Sequence, residues 1–184
     1  MARVLITGMS GAGKSSAVAE LASRGFDAVD TDADAWCEWT SAPRPGDPAG
    51  APPRPDWVWR EDRVRALLAA PRAGPLFVAG CKSNQGRLYD LLDHVVLLTA
   101  PLDVLLARVA ARATNPYGSR EADRREIAQY VREVEPLLRR RATAEWDTSA
   151  LSVHEVADRL AALADSRRPC RGAPPSGDAV RPWR

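Results

Sequence analysis

The residues best placed to do chemistry form a glycine-rich segment at residues 8–15, which reads GMSGAGKS. Glycines let a backbone curl until successive amide groups point at one centre, where they can bind phosphate oxygens. Lys14 can reach the β- and γ-phosphates of a nucleotide, and the Ser15 hydroxyl can hold Mg²⁺. The segment predicts a nucleoside triphosphate site. We expect the phosphates to contact Gly8, Met9, Ser10, Gly11, Ala12, Gly13, Lys14, Ser15 and Ser16.

The surroundings of this segment support the prediction. Branched apolar residues at 3–7 predict a strand directly before it, and the pattern at 14–23 predicts a helix directly after it. A helix that begins at the loop adds the positive end of its dipole to the phosphate site. The alternative is a glycine-rich turn that binds nothing, but this turn carries one of only two lysines in the chain, Lys14 and Lys82.

A second chemical cluster follows the next predicted strand, at residues 26–29. Asp30 and Asp32 are two positions apart, so an extended chain would place both carboxylates on one face beside the glycine-rich loop. Asp30 could position Mg²⁺ through water, and Asp32 could accept the proton of an attacking hydroxyl group. The alternative is a set of helix-capping carboxylates, because Asp is favoured before a helix.

Strand and helix patterns alternate along the rest of the chain. We expect further strands at 76–80, 94–99 and 145–147, and helices at 56–70, 85–92, 102–112, 120–141 and 152–164. Residues 41–55 are rich in proline and predict a loop with little regular structure. The alternation predicts an α/β fold, a three-layer sandwich with a five-stranded parallel sheet, whose ligands bind at the carboxyl ends of the strands.

Composition narrows the function classes. A chain of 184 residues with a net charge of +2 fits one domain and has no strong field for nucleic acid or membrane surfaces. No apolar run has the length of about 18 residues that suits a membrane span, and no leader pattern is evident. Three widely spaced cysteines do not form a disulfide framework. We expect a cytoplasmic monomer or homodimer that binds neither nucleic acid nor membrane.

Together these motifs resemble the small P-loop kinases of metabolites, such as shikimate kinase, gluconate kinase and their relatives in the nucleoside monophosphate kinase superfamily. The resemblance covers about residues 2–165. The DTD at residues 30–32 matches shikimate kinases, in which the first Asp is associated with Mg²⁺ and the second with the acceptor hydroxyl. Trp59 and Arg60 resemble the pair that opens the substrate-binding helix, whose Arg grips an anionic group.

This resemblance implies a P-loop kinase domain at residues 1–165 that uses ATP and Mg²⁺. It places an acceptor-binding insertion at about 33–70 and a lid at about 112–125, and residues 166–184 read as a disordered tail. Arg108 and Arg112 resemble the lid arginines that lie over the transferring phosphate, although they could also form a solvated basic stripe. Residues 147–148 resemble the segment that leads to the adenine pocket. The catalytic residues would be Lys14, Asp32 and Arg112.

The acceptor site is less defined. The expected substrate-binding residues, besides Asp32 and Arg60, are Trp36, Lys82, Asn84 and Arg132. Trp36 belongs to a cluster with tryptophans at 39, 57 and 59 that could stack on a ring or form core. The family's three glycines after the third strand are AGCK here, and its lid RPL is NPY. The acceptor therefore stays open among a nucleoside monophosphate, a sugar acid or cyclitol, and an antibiotic hydroxyl.

Two other function classes compete with a small-molecule kinase. A P-loop regulator would bind and slowly hydrolyse a nucleotide without any acceptor. A kinase of nucleic-acid ends would need a basic groove, which the nearly balanced charge disfavours. Turnover stimulated by a small acceptor separates the first class from our expectation, and salt-dependent binding of oligonucleotides would indicate the second.

Overall fold

The computed structural model describes residues 1–42, 48–50, 52–112 and 116–166. Within these ranges the strands are β1 (Arg3–Thr7), β2 (Asp27–Asp30), β3 (Cys37–Ala42), β4 (Arg54–Trp59), β5 (Leu76–Ala79), β6 (His94–Thr99) and β7 (Ala144–Asp147). The helices are α1 (Lys14–Ser23), α2 (Glu61–Ala69), α3 (Leu102–Ala111), α4 (Glu121–Glu133), α5 (Glu135–Arg139) and α6 (Val153–Asp165). Short 3-10 helices span Asp34–Trp36 and Gln85–Leu91.

Five of these strands form one parallel sheet in the order β2–β5–β1–β6–β7. This confirms the predicted α/β fold with a five-stranded parallel sheet. β1 lies at the centre, so the segment that follows it emerges between the carboxyl ends of β5 and β6. The loops on both sides of β1 can therefore contact a ligand that binds at that segment.

Apolar side chains cover both faces of the sheet and create its three layers. Along β1, Val4 and Ile6 belong to the cluster that includes buried residues of α1 and α6, whereas Leu5 belongs to the cluster that includes buried residues of α2. This alternation follows from the two-residue period of a strand. A rigid central strand covered on both faces holds the loop that follows it in place.

The loop predicted over 41–55 is wrong at 41–42 and 54–55, which belong to strands, and the helix predicted over 56–70 forms only over Glu61–Ala69. β3 and β4 pair as an antiparallel hairpin, and α2 begins only at Glu61. The segment from Asp56 to Trp59 alternates around two large aromatic residues, which suits a pleated strand better than a first helical turn. Its pairing partner lies upstream, with Trp39 opposite Trp57. The residues between the two strands at 43–47 and 51 lie outside the described ranges.

The single long helix predicted over 120–141 is also wrong, because α4 ends at Glu133 and α5 begins at Glu135. Pro136 explains the break, since proline lacks an amide hydrogen and its ring clashes with the preceding helical turn. The expected tail lies outside the described residues from position 167 onward. In the parts of the chain that the structure describes, no helix combines the length and apolar character needed to cross a bilayer.

Gly80, directly after β5, occupies a space that has no room for a side chain. A Cβ atom there would lie 2.7 Å from both the Thr31 hydroxyl oxygen and the ring of Trp59, which is 2% exposed. We expect Gly80→Ala to lower the free energy of unfolding by about 1–3 kcal/mol through overpacking. Urea denaturation measures this, with Gly86→Ala as the control because a Cβ at Gly86 meets no atom within 4 Å. Equal midpoints for both variants would contradict the prediction.

Candidate active site

The glycine-rich loop after β1 packs against the backbone of two neighbouring elements. Gly8 and Gly11 have φ angles of +145° and +87°, which disfavour residues with a side chain. A Cβ at Gly8 would lie 2.2 Å from the Leu98 carbonyl oxygen, and one at Gly11 would lie 2.6 Å from the Leu105 carbonyl oxygen. The loop therefore keeps a tight curl that a side chain at either position would open, and this cradle fits phosphate groups.

The start of α1 completes this cradle. Lys14, Ser15 and Ser16 form the first helical turn, so their amide groups have no acceptors within the helix and can donate to an anion. Lys14 is 9% exposed, and its Nζ donates to the carbonyl oxygens of Gly8 at 2.8 Å and Met9 at 3.2 Å. The ammonium group thus lies over the loop, close to where the predicted phosphates would bind.

A brace that involves Thr148 and Arg108 holds the loop from the other side. The Thr148 hydroxyl lies 3.2 Å from the Ala12 carbonyl oxygen and 3.1 Å from that of Thr99. Arg108 donates to the Thr148 hydroxyl and carbonyl oxygens, both at 2.8 Å, and to the Gly11 carbonyl at 3.3 Å. This role of Thr148 and Arg108 in holding the loop was not predicted from the sequence. The expected contact of Arg108 with ATP stays a prediction.

Removing the Thr148 hydroxyl tests the brace. We expect Thr148→Val to weaken ATP binding by about five- to tenfold, because buried loop carbonyls and the Arg108 guanidinium lose a partner. Thr148→Ser keeps the hydroxyl and should bind ATP within about twofold of wild type. Isothermal titration calorimetry measures both variants. Wild-type affinity in Thr148→Val would show that the contact does not shape the loop.

The two predicted carboxylates do not lie on an extended strand, so the argument that placed them on one face is wrong. β2 ends at Asp30, and the chain turns so that the Asp32 amide donates to Asp30 Oδ1 at 3.0 Å. Thr31 between them is buried, and its hydroxyl donates to the Ala79 carbonyl at 2.7 Å. Asp32 points instead to Lys82, whose Nζ lies 3.1 Å from Asp32 Oδ1.

Cys81 directly precedes Lys82 of this ion pair. Burial has the largest effect on the pKa of its thiol, and the charges of Lys14 and Asp32 have smaller and opposite effects, so both groups lie near Cys81. Burial raises the pKa of Cys81 above its ordinary value, and burial also raises the pKa of Cys37 to about 11. Both thiols are therefore protonated at neutral pH and are poor nucleophiles.

Arg60 and Asn84, two predicted acceptor residues, contact the hairpin. Arg60 Nε donates to the Cys37 carbonyl at 3.0 Å, and its Nη1 lies 3.3 Å from Glu38 Oε2. Asn84 uses both ends of its amide on Trp59, donating to the carbonyl at 2.9 Å and accepting from the backbone amide at 3.1 Å. Asn84 thus fixes the end of β4, and contact of either residue with an acceptor stays a prediction.

Two further residues near the hairpin, Trp36 and Gln85, are partly or fully buried. Trp36 is half-buried against the core cluster that contains Trp59. Gln85, which sequence analysis did not single out, is buried, and its Oε1 accepts from the Thr7 hydroxyl at 3.3 Å and the Lys82 amide at 3.4 Å. Gln85 therefore sets the position of Lys82 relative to β1. Gln85 is the last of four consecutive polar residues after β5, and nothing in the sequence distinguishes it from its neighbours.

The described part of the segment predicted to be a lid is held by contacts within that segment and with α4. Arg112 Nη2 donates to the Tyr117 carbonyl at 2.7 Å, and Arg124 Nη1 donates to the Ser119 carbonyl at 2.7 Å. The Tyr117 hydroxyl donates to Glu126 Oε2 at 2.8 Å, and burial raises the pKa of Tyr117 above its ordinary value. Arg112 Nε is buried and has no hydrogen-bond partner among the described residues. Asn115 lies outside the described ranges.

Arg132 lies apart from the other candidates. It lines an open surface groove of about 770 Å³ formed by residues of α4 alone. The lining consists of Ala122, Asp123, Arg125, Glu126, Ala128, Gln129 and Arg132. The groove does not bring Arg132 together with the Asp32–Lys82 pair, so its expected contact with substrate stays a prediction without structural support.

Among the described residues, no group of three or more His, Cys, Asp or Glu side chains forms a site that could hold a metal by protein ligands alone. Magnesium often binds through one or two protein groups together with substrate phosphates and water. The Ser15 hydroxyl at the loop and Asp30 at the end of β2 have the ligand chemistry for such a shared site.

Comparisons with known proteins find one matching family and several solved structures with the same fold. A family model described as AAA domain matches residues 4–129. Shikimate kinase from Acinetobacter baumannii, solved with shikimate, has a TM-score of 0.59 at 20% identity over 89% of this chain and 92% of its own. Shikimate kinase from Bacteroides thetaiotaomicron has a TM-score of 0.56 at 16% identity over 88% of this chain and 97% of its own. A search of curated protein sequences finds no significant match.

A gluconokinase from Sinorhizobium meliloti also shares the fold, with a TM-score of 0.50 at 20% identity over 89% of this chain and 93% of its own. These likenesses confirm, at the level of the fold, the resemblance to small P-loop kinases. The family match covers the glycine-rich loop, the Asp32–Lys82 pair, the hairpin and the segment predicted to be the lid. The chain therefore belongs to the AAA-domain family and has the fold of the small P-loop kinases.

Proposed function

We propose that this protein transfers the γ-phosphoryl group of ATP to a hydroxyl group of a small molecule in the cytoplasm. The observation that supports the proposal is the connection of the Asp32–Lys82 ion pair to the loop through Gln85, whose Oε1 accepts from the Lys82 amide and from the hydroxyl of Thr7, the residue before Gly8. A phosphate cradle alone would serve any nucleotide-binding protein. A carboxylate beside that cradle, with 38% of its side chain exposed, adds a group that can receive a proton from an acceptor.

The nucleotide would bind along the loop from Gly8 to Ser16. Its phosphate oxygens would accept hydrogen bonds from loop amides and from the first turn of α1. Lys14 would exchange its contacts with the Gly8 and Met9 carbonyls for the β- and γ-phosphates. Mg²⁺, held by Ser15 and through water by Asp30, would supply neutralising charge on the phosphates.

The acceptor hydroxyl would approach from the side of Asp32. Its oxygen would bond to the γ-phosphorus as the bond to the bridging oxygen breaks and ADP leaves, while Asp32 would orient the hydroxyl and take its proton. Arg112 would stabilise charge on the transferred group once the lid closes, and its unpartnered buried Nε supports such a role. Positioning and electrostatics account for most of the catalysis in phosphoryl transfer.

The kinases that share the fold act on small molecules, which supports an acceptor of that class. Identities of 16–20% do not carry their acceptors to this chain. Lys82, Arg60 and Trp36 lie around Asp32 or the hairpin and are the residues from which acceptor selectivity would arise.

A screen of ADP release tests the proposal. The full-length protein, with saturating ATP and Mg²⁺, is assayed against nucleosides and nucleotides, sugar acids, cyclitols and hydroxylated antibiotics. We expect at least one acceptor to raise ADP release by about tenfold or more and to gain one phosphoryl group by mass spectrometry. ATP hydrolysis that no acceptor stimulates would favour the regulator class instead. Failure to bind ATP in calorimetry would overturn both readings.

A further inference from the structure

The hairpin of β3 and β4 carries two tryptophan rings side by side. Trp39 and Trp57 are cross-strand partners, with ring centroids 5.0 Å apart at an interplanar angle of 48°. Trp39 is 70% exposed, whereas Trp57 is half-buried against the core. Large aromatic rings bury much apolar area when they are covered, so this pair offers a surface on which the ring system of another molecule can stack.

The hairpin face that carries these rings leads toward the Asp32–Lys82 pair. Because side chains alternate along a strand, Cys37 and Trp59 share the face of Trp39 and Trp57. The Cys37 thiol donates to the Thr31 carbonyl at 3.2 Å, one residue from Asp32. The ring of Trp59 packs against Gly80, two residues from Lys82. Neighbouring residues on one face of a strand lie roughly 7 Å apart. This spacing is about the length of a ring system.

The cation at the end of this face already has a partner, because Lys82 pairs with Asp32 at 3.1 Å. Arg60, which the family resemblance would assign to an anionic group, lies 3.3 Å from Glu38, which alternates to the opposite face of the hairpin. An acidic acceptor would compete with Asp32 for Lys82. A neutral acceptor would approach Asp32 without that competition and could still cover the apolar rings.

We propose that the face defined by Trp39 and Trp57 is the acceptor subsite, and that the acceptor is an uncharged hydroxylated molecule with a planar or apolar ring system. This inference rests on the proposed kinase function and names its substrate class. The ring lies against the two tryptophans, and a hydroxyl group reaches Asp32. The hydroxyl oxygen bonds to the γ-phosphorus of ATP, the bond to the bridging oxygen breaks to leave ADP, and the hydroxyl proton goes to Asp32.

The test compares two arms of acceptors with the full-length protein at saturating ATP and Mg²⁺. The neutral arm holds uridine, thymidine and hydroxylated flavonoids, and the anionic arm holds gluconate, shikimate and nucleoside monophosphates. We expect phosphorylated products from the neutral arm. Trp39→Ala should raise KM for them by about tenfold with kcat changed by less than about twofold, the pattern of one lost stacking contact. Trp39→Phe should restore most of the affinity.

Leu137→Ala serves as the control, because Leu137 is an apolar residue with 40% exposure on α5 and should leave KM unchanged. Transfer only to the anionic arm, or an unchanged KM in Trp39→Ala, overturns this inference and leaves the kinase function standing. A dimer in sedimentation that Trp39→Ala abolishes without changing KM assigns the rings to a second copy and also overturns it. ATP binding without transfer in either arm overturns this inference, and the kinase function falls with it only if the wider acceptor screen also yields no product.

Discussion

Replacement of Lys14 by alanine is expected to lower kcat for phosphoryl transfer by about a thousandfold or more. Lys14 is the cation of the glycine-rich loop, and its Nζ already lies over the loop on the Gly8 and Met9 carbonyls. Charge develops on the phosphoryl oxygens during transfer, and a preorganised donor in a site shielded from water stabilises it strongly. Single-turnover assays with a phosphorylatable acceptor measure the loss directly.

The other lysine of the chain supplies a matched control for this variant. Lys82 pairs with Asp32 and donates its backbone amide to Gln85, so Lys82→Met should bind ATP with an affinity close to that of wild type. Thermal unfolding of Lys14→Ala separates loss of chemistry from loss of structure, since two hydrogen bonds inside the loop disappear with the side chain. Transfer by a folded Lys14→Ala protein at more than about a tenth of the wild-type rate would remove Lys14 from the mechanism.

The glycine-rich loop could be predicted from the sequence because its determinants are local. Gly8, Gly11 and Lys14 stand at fixed spacings between a short branched strand and a helix, and the chain needs no distant partner to reveal that order. The parallel sheet was predictable for the same reason. Each strand is a short apolar run bounded by turn residues, and alternation with helices leaves few possible topologies.

The hairpin could not be predicted this way, because its stability depends on pairing between residues far apart in sequence. Trp39 meets Trp57 across a proline-rich segment that reads locally as a loop. The ion pair of Asp32 with Lys82 and the brace of Thr148 on Ala12 join positions separated by 50 and 136 residues. Spacing motifs do not report such contacts, so sequence analysis could name several of these residues but not their partners.

Replacement of Asp32 by asparagine should lower the rate of transfer by about a hundred- to ten-thousandfold while ATP affinity stays within about twofold of wild type. Asparagine has nearly the same shape but cannot take the proton of the acceptor hydroxyl. Asp34→Asn is the matched control, because Asp34 is an exposed carboxylate two residues away in the 3-10 helix and has no assigned role. Rapid-quench measurement of phosphorylated acceptor gives the rate of the chemical step.

The division of the effect between kcat and KM decides what Asp32 does. If Asp32 accepts the proton, Asp32→Asn lowers kcat, and the rate stays low even at saturating acceptor. If Asp32 only binds the acceptor, KM rises and saturation restores the wild-type rate, which would contradict the assignment. The ion pair with Lys82 adds an independent check. Once Asp32→Asn has removed the base, Lys82→Met should cost little further rate, because the lysine would act on transfer mainly by holding that carboxylate in position.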